Sequence, residues 1–323
     1  MVISADRKGT LDQPTLNLLK EVKSEVPIVQ INSFSGYEFD EKLYELDQWI
    51  LADFLEYGAN SPRQNCTHLW GVNSHLFSQA NTEEWVKFDK FVKDRKPLVY
   101  FKRELQKKDV GGSVFPIDFP AFFSTPPVQS KAEFESRPIQ AILIWGHSHE
   151  SRRATHGNIF LNSTKKGYGV IDSFYHFERG LSEYKNVWAT IQTPHYARLP
   201  MQDVLFVQGH SKISLSLRGA GDKCFRMCEA PLNSIMLMEE DGLAYAHPWV
   251  HGENCIKVPY TEDFEEIRGV KNSWRIIEAV ESALERDDLY SIYLKGVENC
   301  GRYRVDRYCK EYLEPIIKQQ WGQ

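Results

Sequence analysis

Residues 213–230, ISLSLRGAGDKCFRMCEA, constrain the fold of this chain more than any other stretch. Residues 213–217 alternate apolar and small polar side chains as a short strand does, and Arg218-Gly219-Ala220-Gly221 then breaks the pattern with two glycines. A helix is expected from Asp222, which serves as N-cap, with Phe225, Met227 and Cys228 on the packed face. Strand, glycine turn and helix in that order form the unit of an α/β sheet. Such a turn lets main-chain N–H groups approach a phosphate, and the helix end adds partial positive charge. Arg218, Lys223 and Arg226 surround the turn, and Glu229 lies one helical turn beyond Arg226. Cations to neutralise a diphosphate, with a carboxylate to accept from ribose hydroxyls, suit a nucleotide-sugar better than a bare phosphate. The same residues also read as a plain strand-to-helix turn whose arginines form surface ion pairs.

The order Arg218-Gly219-x-Gly221-x-x-x-Phe225-Arg226-x-x-Glu229-Ala230 resembles the donor-binding segment of exostosin-like glycosyltransferases. The resemblance covers about fifteen residues strongly and the C-terminal half loosely. It departs at Cys224, where a small hydroxyl residue is common, and after Ala230, where Pro231-Leu232-Asn233-Ser234 stands in place of a run to glycine and proline. It implies an α/β chain of GT-B architecture, two Rossmann-like domains facing a cleft, with the nucleotide-sugar held mainly by the second. It further implies Arg226 near the diphosphate, Glu229 near the ribose, and an inverting, metal-independent hexosyl or pentosyl transfer from a UDP- or GDP-linked donor to a glycan hydroxyl.

A chain of 323 residues has the length of two ordinary domains. The division expected is an acceptor-side domain over 1–125, a linker over 126–137 rich in Pro, Ser and Thr, a donor-binding domain over 138–300, and a C-terminal helix over 301–323, which the resemblance implies crosses back to the first domain. The first domain begins with a loose arm and a short helix near 14–23, then a strand at 27–33, a loop, and a helix from about 41 to 57. Further elements are a strand at 67–72, a helix at 82–93, and strands at 97–101 and 114–119. The second domain opens on the apolar run 139–145, which suits a parallel strand covered on both faces. It continues with strands near 169–171 and 187–191, a helix at 200–208, strands at 234–238 and 254–258, and helices at 273–285 and 303–319.

The formal net charge is −5, so no general basic field draws the chain to nucleic acid, and any phosphate binding falls to local sites. No apolar run approaches the ~20 residues of a membrane span, and the N-terminus lacks a signal pattern. A cytoplasmic protein, or a soluble catalytic region of a longer one, is the expected setting. The six cysteines form no CxxC pair and no dense disulfide framework.

Other chemistries fit less well. His147, His149 and Glu150 follow the strand at 139–145 but lack a distant further ligand, so no metal site is expected. Neither GxSxG nor a Walker A loop occurs, and the glycine turn has Cys224 where a dinucleotide fingerprint has its third glycine. Gly146 and Arg153 resemble, more faintly, a second donor-side segment of the exostosin-like pattern. Transfer also needs a base for the acceptor hydroxyl, and the first-domain candidates, each following a strand, are Glu38, Asp40 and Glu104. The competing class is a catalytically silent protein of the same fold that binds nucleotide or glycan. Retention of both Arg226 and Glu229 favours the enzyme.

Overall fold

The computed structural model describes residues 1–4, 13–31, 38–54, 82–121, 126–146, 150–171, 187–193, 200–217, 223, 226–240, 242–259 and 270–322. In the first half, β1 (Val2–Ser4), α1 (Gln13–Glu21), β2 (Ile28–Ile31), β3 (Ile50–Asp53), α2 (Thr82–Asp94), β4 (Val99–Lys102) and β5 (Val114–Pro116) build one sheet. Its strands are all parallel in the order β1-β2-β3-β4-β5. Side chains alternate between its two faces. Ile28, Ile50, Ala52, Val99 and Phe101 meet Leu18 and Leu19 of α1, whereas Val29, Ile31, Leu51 and Tyr100 meet Phe88 and Phe91 of α2.

Two expectations for this half are corrected. The arm at the N-terminus contains β1, which pairs Val2 with Ile28 and Ser4 with Gln30. The helix expected over 41–57 is a 3-10 turn, Glu41–Glu45, followed by β3. Leu46 is already extended, and Ile50, Leu51, Ala52 and Asp53 are all buried between β2 and β4. A short, continuous apolar run is ambiguous between helix and strand, and here burial on both faces makes it a strand. The strand expected at 67–72 lies outside the described residues.

The second half contains α3 (Lys131–Glu135), β6 (Ile139–Gly146), α4 (Glu150–Lys165), β7 (Gly169–Ile171), β8 (Val187–Thr193), α5 (Met201–Gly209) and β9 (Ser211–Ser216). It continues with α6 (Arg226–Glu229), a 3-10 turn (Ala230–Leu232), β10 (Ile235–Glu239), β11 (Ile256–Val258), α7 (Val270–Leu284) and α8 (Leu289–Gly301). These strands form a second parallel sheet in the order β11-β10-β9-β6-β8-β7. The segment read as a linker carries α3, which opens with a capping box between Ser130 and Glu133 and buries Phe134 against Tyr293 at 4.8 Å between ring centroids. Arg137 follows, with its guanidinium donating to the carbonyls of Ser211 (2.7 Å) and Asn233 (2.6 Å).

Helix α8 was passed over in the sequence although Leu289, Ile292, Tyr293, Gly296, Val297 and Cys300 recur at helical spacing, and all are buried. Its closest approach is at Gly296, where an added Cβ would sit 2.9 Å from the carbonyl oxygen of Asn254. Gly296→Ala is therefore expected to be destabilising. Crowding of about 1–3 kcal/mol outweighs the roughly 1 kcal/mol that alanine gains as a helix former. A thermal melting midpoint at or above that of the wild type would show that the Asn254 loop yields without cost.

The C-terminal segment is α9 (Val305–Tyr308), a π-helical stretch (Cys309–Leu313) and α10 (Glu314–Trp321), in place of one uniform helix. Pro315 has no amide hydrogen for the helical ladder, and the turn ahead of it widens. This segment lies on the first half of the chain. The Lys23 amide donates to Glu314 Oε1 (3.1 Å), Tyr312 Oη to the carbonyl of Pro116 (2.8 Å), and the Asp118 amide to Tyr308 Oη (2.9 Å). One hydrophobic core accordingly combines Leu18, Ile50 and Phe101 with Met227, Met236, Trp249, Tyr308 and Leu313.

Candidate functional site

In the second sheet the chain leaves β6 toward β8 and β7, and leaves β9 toward β10 and β11. Because β6 and β9 are neighbours, their carboxyl ends flank the point where the strand order reverses, which is where open parallel sheets bind ligands. The two segments singled out from sequence, 146–153 and 218–229, follow these two strands. Of the first, Gly146 ends β6 and Arg153 lies in the first turn of α4. Of the second, Arg218, Gly219 and Gly221 lie outside the described residues. Arg226 and Glu229 are half-buried at the two ends of α6, while Met227 and Cys228 between them are buried in the shared core. His147 and His149 also fall outside the described residues.

The helix after the turn is much shorter than expected. Lys223 is a bend outside it, and α6 spans four residues before Pro231 interrupts helical hydrogen bonding and a 3-10 turn follows. So short a helix contributes little macrodipole.

Lys223 itself is 2% exposed. Its ammonium donates to Asp118 Oδ1 (2.5 Å) and the carbonyl of Ala244 (2.5 Å), and lies 4.4 Å from the centre of the Tyr245 ring. The Lys223 amide donates to Glu104 Oε1 (3.3 Å), and Glu104, fully buried, has the Arg103 guanidinium 3.7 Å away. Asp118 Oδ2 in turn accepts from the Ala246 amide (2.7 Å). Alongside, the loop after β4 and the loop after β10 form a short antiparallel bridge. The Ala244 amide donates to Leu105 (2.8 Å) and the Lys107 amide to Gly242 (3.0 Å), with Gly242 in the left-handed region at φ +68°. A cavity with room for about one water lies against Lys223, Asp118, Tyr245, Trp249 and Tyr303.

Behind this junction His247 is 2% exposed and packs edge-on against Tyr303, Tyr308 and Tyr312 at centroid distances of 5.1, 5.9 and 5.7 Å. Burial, reinforced by the nearby Arg302 charge, pushes its imidazole down to about 4. Burial likewise holds the Tyr303 and Tyr308 phenols well above their ordinary range, so both remain neutral hydrogen-bonding groups.

No protein-family model matches this chain, and no curated protein matches it. Among solved structures, a GtfA/B complex is similar with a TM-score of 0.54 and 9% identity, over 96% of this chain and 60% of that one. The pneumococcal O-GlcNAc transferase GtfA in complex with UDP and GlcNAc is similar with a TM-score of 0.53 and 9% identity, over 96% and 59%. Two parallel sheets, each carrying its helices, are arranged in this chain as they are in those proteins, which are GT-B glycosyltransferases. The fold is GT-B. At 9% identity the likeness is one of architecture, and this chain spans about three fifths of the length of each of the two neighbours.

Within the GT-B frame, the three candidate bases of the first domain are in different situations. Asp40 is half-buried, and its carboxylate accepts from the Lys42 amide (3.2 Å), capping the 3-10 turn. Glu38 is half-buried, separated from Asp40 by Phe39, whose ring belongs to the α2 side of the sheet. Glu104 accepts from the Lys223 amide, with its carboxylate fully buried. Sequence reasoning missed Asp118 and His247. The available signal for Asp118 was a lone acid inside an apolar strand end, VFPIDFP, which is a pattern of a buried charge awaiting a partner. Among the described residues no helix is long and apolar enough to cross a membrane. Cys228, Cys255, Cys300 and Cys309 are buried thiols, while Cys66 and Cys224 lie outside the described residues.

Proposed function

We propose that this protein is a glycosyltransferase that moves a sugar from a UDP- or GDP-linked donor to a glycan hydroxyl, with kinship to the exostosin-like group. The observation that carries this reading is the position of the Arg226 and Glu229 pair on the helix that follows β9, the strand that neighbours β6 where the strand order of the second sheet reverses.

In this reading Arg226, with Arg218 and the amides of Gly219 and Gly221, stabilises charge developing on the leaving diphosphate, so no metal ion is needed for that step. Glu229 accepts from the ribose hydroxyls. Arg153 contributes a second cation from the α4 side. Inversion proceeds by one in-line displacement, in which the acceptor oxygen bonds the anomeric carbon as the bond to the diphosphate breaks and a first-domain carboxylate takes the acceptor proton. Glu38 and Asp40, both half-buried, suit that last role better than Glu104, which is fully buried.

Calorimetric titration with UDP, GDP and CMP tests the reading. One nucleotide is expected to bind, and Arg226→Ala and Glu229→Ala are each expected to weaken it about tenfold or more, the size of a lost charge-assisted hydrogen bond. Unchanged binding in a folded Arg226→Ala protein would overturn the donor-site assignment. Absence of binding by all three nucleotides in the wild type would favour glycan binding without transfer.

A further inference from the structure

We propose that Asp118 and Glu104, both in the first domain, are positioning residues for the donor turn of the second domain and act on it through Lys223. This rests on the nucleotide-sugar reading above. Lys223 lies two residues after Gly221 and three before Arg226, so it is the anchor between the glycine turn and the side chains expected to meet the donor. Both of its ends are held from across the domain junction. The main chain is held by Glu104 Oε1 accepting from its amide, and the side chain by Asp118 Oδ1 accepting from its ammonium, with the Ala244 carbonyl of its own domain as a second acceptor.

With those two acceptors and the Tyr245 face around it, and with 2% of its surface exposed, the ammonium is directed into the protein and away from any ligand. Lys223 therefore serves the donor by fixing the turn, in place of the direct phosphate contact that its position in the sequence suggests. Asp118 is itself fixed at three points: by Lys223, by the Ala246 amide on its second oxygen, and through its own amide by Tyr308 Oη. A ligand-binding turn needs its supporting groups held to within about half an ångström, and here that support comes from the opposite domain. Donor affinity in the second domain thus depends on the first domain being seated.

Asp118→Asn separates the two roles by the sign of its effect. The amide is isosteric and still offers an oxygen to Lys223, so the chain is expected to fold, but the charge that holds the ammonium is gone. If Lys223 touched the diphosphate directly, removing its internal counter-charge would leave nucleotide affinity unchanged or tighter. If it positions the turn, affinity falls.

The experiment is titration of the full chain with UDP and GDP, well below the melting midpoint of each variant, comparing wild type, Asp118→Asn, Glu104→Gln, Lys223→Met and Asp118→Asn/Lys223→Met. Expected are losses of about tenfold in Asp118→Asn and Glu104→Gln, and a double variant no weaker than the weaker single one, because both act through one contact. Glu135→Gln, a change at a solvent-exposed ion pair of α3, is expected to keep wild-type affinity. Wild-type affinity in Asp118→Asn, with Arg226→Ala still defective, would overturn the positioning role and leave the donor site standing. No nucleotide binding by the wild type would overturn both.

Discussion

Lys223→Met is expected to lower folding stability by about 3–5 kcal/mol, the cost of breaking a buried ion pair by removing one partner. Asp118 is 5% exposed, and without the ammonium its carboxylate retains, of the contacts described above, only the Ala246 amide as a donor. The Ala244 carbonyl also loses its contact with Lys223 Nζ. A charge left so deeply buried has, of the contacts described above, no counter-ion to replace what was lost. The companion variant, Lys223→Met with Asp118→Leu, is expected to recover most of the loss, because an apolar pair of similar volume removes the stranded charge along with its partner. Pairs in solvent provide the contrast. Lys131 and Glu135 are each more than half exposed, and Glu135→Gln is expected to shift stability by well under 1 kcal/mol. Thermal and denaturant unfolding of these variants checks the order. A Lys223→Met protein as stable as Glu135→Gln would mean that the junction does not depend on the pair.

The second large effect is expected in acid. His247 is held down to about 4 in the folded chain, against about 6.5 when unfolded. Between those values the unfolded chain binds a proton that the folded chain does not, so stability falls as pH drops from about 6.5 to about 4 and levels off below. The full loss is about 3 kcal/mol, since each pH unit of displacement is worth about 1.4 kcal/mol. The groups facing the ring are the Tyr303, Tyr308 and Tyr312 phenols, Arg302 and Arg307, which oppose its protonation, and Glu311, which favours it. Stability measured across this range in wild type and His247→Gln isolates the term, because other carboxylates titrate alike in both. A difference between the two proteins that stays constant with pH would contradict the assignment.

The parts of this fold that could be read from sequence are those whose environment is uniform along the element. The run at 139–145 is covered on both faces and is apolar except for Gln140, and 273–284 shows one apolar stripe because one side faces the sheet. The stretch 49–54 has the same apolar density as a packed helix, and only its place between β2 and β4 makes it a strand. The order of β9 followed by a helix was legible because strand alternation and helical spacing are local patterns. The end of α6 was visible in principle in Pro231, two residues after Glu229. The Asp118 to Lys223 pair was not legible. It joins positions 105 residues apart, and nothing local distinguishes Lys223 from a cation directed at a phosphate. Its role follows from which domain covers it.

The C-terminal segment that lies on α1 and β5 also bears on how this protein could be remade. Cys309 and Leu313 sit in one core with Leu18, and Glu314 receives the Lys23 amide, so the last twenty residues are structurally part of the opening of the chain. A chimaera that grafts a foreign donor half by splicing within 126–130 would bring with it a foreign C-terminal tail, laid on a first half that never coevolved with it. A workable graft has two joints. The second falls between α8 and α9, so that native residues 305–321 return to their own partner.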